Sequence, residues 1–63
     1  MSALIVGQPM SAVQRQLVAE IEQSGYELIA ADVDLMGSIT LDVFDPRSDR
    51  YMTWRYNYRG EAI

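Results

Sequence analysis

The sequence predicts a single α+β domain in which one helix packs on a three-stranded antiparallel meander. Apolar residues recur at helical spacing in residues 12–24, the period then changes to two, and short turns join the segments of period two. An apolar run at residues 3–6 leaves two element orders open, αβββ and βαβββ with a short N-terminal strand. Because the chain has only 63 residues, it has room for one domain, residues 1–63.

The N-terminal run is the first candidate element. Ala3, Leu4, Ile5 and Val6 are all apolar, and the run ends at Gly7, which precedes Gln8 and Pro9. An aliphatic run of this length, bounded by glycine and proline, favours a short buried strand. A docked N-terminal arm is the alternative for the same residues.

A helix is predicted for residues 12–24. Ser11 can accept a hydrogen bond at its start, and Gln14, three residues later, completes a capping box. Gly25 supplies the left-handed residue that commonly follows a helix. The apolar face of this helix is predicted to consist of Val13, Leu17, Val18 and Ile21.

Three strands are predicted for residues 27–34, 39–44 and 51–58, because their residue types alternate with a period of two and successive side chains of a strand point to opposite faces of a sheet. The short turns between them imply antiparallel pairing, and Pro46 suits a type I turn. The face against the helix is predicted to hold Ile29, Ala31, Val33, Ile39, Leu41, Val43, Met52, Trp54, Tyr56 and Tyr58. The opposite face is predicted to hold Leu28, Ala30, Asp32, Asp34, Thr40, Asp42, Phe44, Tyr51, Thr53, Arg55 and Asn57.

The residue types that most often carry catalysis and metal binding are missing. The chain has no histidine, cysteine or lysine, so its serines have no partner base and zinc lacks its usual ligands. The segment that begins at Asp32 imitates the start of an EF-hand calcium loop, but Met36 and Val43 occupy two ligand positions. The sequence therefore predicts a protein that is not an enzyme and uses no cofactor or metal.

Hydropathy predicts a soluble, cytoplasmic protein. No apolar run approaches the roughly 20 residues that a membrane-spanning helix needs. The N-terminus also lacks the basic start of a signal peptide.

Charge is distributed unevenly within the net charge of −4. Residues 1–45 carry seven acidic residues and one arginine, whereas residues 46–63 carry four arginines and two acidic residues. An acidic chain is suited to a basic protein surface and is repelled by a phosphate backbone. Arginines interleaved with aromatics at residues 50–59 keep a second hypothesis open, a small protein that binds single-stranded nucleic acid.

The face opposite the helix is the candidate interaction site. If Phe44 opposes Tyr51, and Asp32 opposes Thr40, this face has an apolar end and an acidic end. The apolar end is predicted to hold Leu28, Phe44 and Tyr51, and the acidic end Asp32, Asp34 and Asp42, near Arg55. An apolar strip beside acidic residues on an exposed sheet favours a protein interface, either with a basic partner or within a homodimer.

The function predicted from these observations is a non-catalytic protein-binding module. Its best-supported form is a small acidic inhibitor or regulator that occupies a basic surface of a larger protein. Small proteins without catalytic residues are common among the inhibitors of phages and mobile elements. Carboxylates that imitate phosphates are one way in which such a protein fills a nucleic-acid channel.

Overall fold

A computed structural model of the protein describes residues 3–63. The elements in chain order are β1 (Leu4–Gly7), α1 (Ala12–Gln23), β2 (Glu27–Val33), β3 (Ile39–Asp45) and β4 (Arg50–Tyr56). The four strands form one sheet in the order β1-β2-β3-β4, in which β1 is parallel to β2 and the other pairs are antiparallel. The α+β class and the antiparallel meander are confirmed. Of the two element orders left open, βαβββ is the one observed, because the N-terminal run pairs with β2 and gives the sheet a fourth strand. The prediction that this strand is buried is wrong, since it lies at the edge of the sheet and is exposed.

The helix is bounded by the capping residues that the sequence predicts. The Ser11 hydroxyl accepts a hydrogen bond from the Gln14 backbone N–H at 3.1 Å, and the Gln14 side-chain oxygen accepts one from the Ser11 N–H at 3.0 Å. This arrangement is the reciprocal capping box. At the other end, the helix stops before Gly25, whose φ of +95° is a conformation that glycine adopts without strain.

The core lies between the helix and one face of the sheet. Its buried apolar residues are Ile21 of α1 and the strand residues Leu28, Ala31, Val33, Ile39, Leu41 and Val43. Trp54 and Tyr56 of β4 are half-buried and pack against this cluster, as predicted for their face. The Trp54 ring meets the Tyr26 ring edge to face at 5.1 Å between centroids.

A β-bulge in β2 contradicts part of the predicted alternation. Leu28 pairs with Val43 and Ala30 pairs with Asp42, so that Ile29 is an extra residue in the ladder. Leu28 therefore lies in the core, 8% exposed, and Ile29 is exposed. The prediction that Leu28 belongs to an exposed interaction strip is wrong, because a strict period of two leaves no place for the extra residue.

Gln14 has a second role that its capping position does not indicate. Its side chain is 1% exposed, and its amide nitrogen donates to the carbonyl oxygens of Gly37 at 2.7 Å and Asn57 at 3.2 Å. The Ser11 hydroxyl also donates to the Tyr58 carbonyl at 2.7 Å. The start of the helix thus holds both the β2–β3 turn and the segment after β4.

The residues after β4 turn back along its outer edge. We call residues 57–63 the C-terminal arm. The Asn57 N–H donates to the Glu61 carbonyl at 2.8 Å, and the Ile63 N–H donates to the Arg55 carbonyl at 3.1 Å. Strand β4 ends at Tyr56, two residues before the predicted end, because the Asn57 side chain accepts two backbone N–H groups and closes a turn there.

Candidate protein-binding face

The sheet face turned away from α1 is the candidate site, and we call it the open face. The pairing of the strands places its side chains in three rows, Glu27–Phe44–Tyr51, Leu4–Ala30–Asp42–Thr53 and Val6–Asp32–Thr40–Arg55. No other element of residues 3–63 packs on it. The predicted oppositions of Phe44 to Tyr51 and of Asp32 to Thr40 are confirmed.

An aromatic pair occupies one end of the open face. The rings of Phe44 and Tyr51 are 4.8 Å apart between centroids, with an angle of 41° between their planes. Phe44 is half-buried and Tyr51 is exposed, and Glu27 completes their row. The apolar end therefore contains two of the three predicted residues, since Leu28 points into the core.

Two carboxylates follow the aromatic pair along the open face, Asp42 in the next row and Asp32 in the row after it. Asp42 and Asp32 are exposed on the adjacent strands β3 and β2, in neighbouring rows of the open face. The Asp42 carboxylate accepts a hydrogen bond from the Thr53 hydroxyl at 3.1 Å, which holds it on the face. With Glu27, these residues give the open face three acidic side chains and one arginine, Arg55.

Asp34, also a predicted site residue, has a local role. It follows the end of β2, and its carboxylate accepts the backbone N–H groups of Met36 at 2.9 Å and Ser38 at 3.0 Å. Its other oxygen lies 4.0 Å from the Arg55 guanidinium. These contacts fix the β2–β3 turn and offset the charge of Arg55, so Asp34 contributes less to the acidity of the open face than Asp32 and Asp42.

The arginines near the C-terminus have acidic neighbours. Arg47 lies 3.2 Å from the Asp45 carboxylate and Arg59 lies 3.3 Å from that of Glu61, in addition to the contact of Arg55. The half-buried Trp54 faces the helix and not the open face. The aromatic residues of the C-terminal segment are therefore divided between the two faces of the sheet, and acidic neighbours partly neutralise its arginines.

Asp45 fixes the turn between β3 and β4. Partial desolvation raises the pKa of its carboxyl group, but hydrogen bonds from the Arg47 N–H, the Arg47 guanidinium and the Ser48 hydroxyl outweigh it, so the pKa lies below its ordinary value. A lowered pKa means that the turn contributes stability above the ordinary aspartate pKa of about 3.9. That contribution is lost as the pH falls through the lowered pKa.

Residues 3–63 contain no pocket and no group of three side chains suited to holding a metal ion. Within the same residues, the only helix is too short and too polar to cross a membrane. The members of the open face that sequence reasoning missed are Leu4, Val6 and Glu27. Alternation alone could not place them, because the phase of Glu27 depends on the bulge and the two aliphatic residues depend on the pairing of β1.

Comparisons of the chain with protein-family models, with curated proteins and with solved structures find no match.

Proposed function

We propose that this protein is a non-catalytic protein-binding module, a small acidic inhibitor or regulator whose open face occupies a basic surface of a larger protein. The observation that supports it is the pair of half-buried Phe44 and exposed Tyr51, followed along the sheet by the carboxylates of Asp42 and Asp32, on a face that no other described element covers. Glu27 adds a further negative charge next to the rings.

The two kinds of side chain have different physical roles in this proposal. Aromatic residues near the centre of an interface carry much of its binding energy, because they bury a large rigid surface. Exposed carboxylates act mainly on the association rate and on the choice of partner, since their field extends about 10 Å at 0.1 M salt. The open face places both kinds within neighbouring rows.

The partner class that fits is a protein with a basic, partly apolar surface. Carboxylates on adjacent strands present several negative charges close together, as a nucleic-acid backbone does. A partner that ordinarily holds nucleic acid is therefore included in the proposal. An oligonucleotide would then compete with this protein for the same surface of the partner.

Affinity capture from a lysate of the source organism tests the proposal. We expect the wild-type chain to retain a basic protein and the Phe44→Ala variant to lose it, because the variant removes an anchor. Leu35→Ala is the matched control, since Leu35 is 87% exposed in the β2–β3 turn and belongs to none of the three rows of the open face. Equal retention by both variants would place the partner site elsewhere on the molecule.

Binding kinetics with the captured partner separate the two roles. The double variant Asp32→Asn with Asp42→Asn should slow association, most clearly at low ionic strength, whereas Phe44→Ala should accelerate dissociation with little dependence on salt. The control double variant Glu20→Gln with Glu22→Gln removes the same charge from the exposed side of the helix. If the control slows association as much as the aspartate variant, net charge and not the open face directs the encounter.

A binding assay with oligonucleotides separates the proposed function from the nucleic-acid hypothesis. We expect the dissociation constant for single-stranded oligonucleotides to exceed about 100 μM at physiological salt, because the net charge is −4 and acidic neighbours offset three arginines. Fluorescence anisotropy with a labelled oligonucleotide measures this. A sub-micromolar complex that Arg55→Glu abolishes would favour a nucleic-acid-binding protein over the proposed function.

A further inference from the structure

Strand β1 forms one edge of the sheet and differs from the other strands in composition. Leu4, Ile5 and Val6 are 64%, 51% and 43% exposed, respectively. No charged residue lies in β1, whereas β2, β3 and β4 each carry two. Natural edge strands are often very short, or carry a lysine, a proline or a bulge that prevents pairing with another strand. Strand β1 is short, with four residues, but within Leu4–Gly7 it has no lysine, proline or bulge.

Backbone groups on the outer side of β1 are available for pairing. The Gln8 N–H donates to the Val33 carbonyl of β2 at 2.9 Å. Backbone groups of successive strand residues point to opposite sides, so the groups of Leu4 and Val6 point toward β2 as those of Gln8 do. The N–H and C=O of Ile5 therefore point outward, and no other strand of residues 3–63 lies beyond them.

The opposite edge of the sheet is less open. The C-terminal arm pairs with the end of β4, where Ala62 bridges to Tyr56 and the Ile63 N–H donates to the Arg55 carbonyl. Strand β4 also carries Arg50 and Arg55. The arm therefore occupies one part of this edge and charge limits the rest, so β1 is the edge that is suited to accept another strand.

We infer that β1 is a self-association edge, at which two copies of the chain pair antiparallel about a two-fold axis through Ile5. In this register Ile5 of each copy exchanges both backbone hydrogen bonds with Ile5 of the other. Leu4 then lies opposite Val6 of the second copy on the open face. Every side-chain pair along the edge is apolar, so the strand is its own complement, and the two four-stranded sheets become one of eight strands.

Salt distinguishes this association from binding to a basic partner. Each copy carries −4, so screening should strengthen the pairing of two copies, whereas it weakens the attraction of an acidic protein to a basic one. Two short strands bury less surface than a stable permanent dimer needs, so dimerisation should depend on concentration in the micromolar to millimolar range. Failure of this inference leaves the proposed function of the open face intact.

Sedimentation equilibrium of two variants with opposite charges at position 5 tests both the edge and the register. Wild type should move from 7.1 kDa toward twice that mass as concentration rises, and Ile5→Lys and Ile5→Glu should each weaken dimerisation at least about tenfold. An equimolar mixture of the two variants should restore dimers at low salt, because lysine then faces glutamate across the axis. Leu35→Lys and Leu35→Glu are the matched controls, and they should dimerise as wild type does.

Hydrogen exchange of the wild-type chain gives an independent readout that needs no variant. The Ile5 amide should be protected at high protein concentration and exchange readily on dilution. The Val6 amide, which points toward β2, should be protected at both concentrations. A wild-type mass of 7.1 kDa at all concentrations, or exchange at Ile5 that does not depend on concentration, would overturn the inference. Pairing with a different extended peptide in place of a second copy would also overturn it.

Discussion

Replacing Leu41 by alanine should lower the free energy of unfolding by about 3 kcal/mol. Leu41 is fully buried in β3, an inner strand, and pairs with Ala31 on one side and Trp54 on the other. The substitution removes three buried carbon atoms and leaves a cavity that the strands on both sides cannot fill. For a chain of 63 residues the total free energy of unfolding is about 3–9 kcal/mol, so this loss removes at least about a third of it.

Urea denaturation monitored by tryptophan fluorescence measures this loss. Leu35→Ala removes the same atoms from a side chain that is 87% exposed, and it should change the unfolding free energy by less than about 0.5 kcal/mol. Equal losses in the two variants would show that Leu41 does not lie at the centre of the core.

Replacing Gln14 by glutamate should cost about 3 kcal/mol at neutral pH, although the two side chains have nearly the same shape. The amide nitrogen of Gln14 donates to the carbonyl oxygens of Gly37 and Asn57, and a carboxylate oxygen in its place would face them with no proton to give. Because the side chain is 1% exposed, water cannot solvate the new charge. The change should loosen the β2–β3 turn and the C-terminal arm together.

The pH dependence of this variant separates the lost hydrogen bonds from a general effect of charge. Burial beside two carbonyl groups should raise the pKa of the new carboxyl group above its ordinary value of about 4.3. The protonated form can donate one hydrogen bond, so the variant should be more stable at low pH and lose stability as the pH rises through the raised pKa. Gln16→Glu introduces the same charge on the exposed side of α1 and should show no comparable dependence.

Local signals account for the part of the fold that the sequence predicts correctly. The capping box of Ser11 and Gln14 and the glycine at position 25 act within a few residues of the helix ends. Alternation in β3 likewise places Ile39, Leu41 and Val43 in the core, since this strand is regular and pairs on both sides. These features depend on spacing along the chain, which is visible without any knowledge of partners.

The candidate site depends more on contacts between distant parts of the chain. Phe44, Tyr51, Asp32 and Asp42 lie on the predicted face because the turns set the register of β2, β3 and β4. Leu28 does not lie on the predicted face, because the extra residue Ile29 in the bulge turns the Leu28 side chain into the core. Whether a strand accommodates an extra residue depends on its neighbour across the ladder, and the period of one strand does not contain that information.

The sequence by itself therefore determined the helix, its ends, the antiparallel meander and the excess of acidic residues over basic ones. Only the tertiary structure decided that β1 joins β2 in parallel, that Gln14 is buried, and that the C-terminal arm closes part of the β4 edge. The first two features depend on contacts between residues more than 20 positions apart in the chain, and the third depends on a reversal of the chain after β4. Their energies come from backbone groups that have a hydrogen-bond partner only once the sheet and the helix have been brought together.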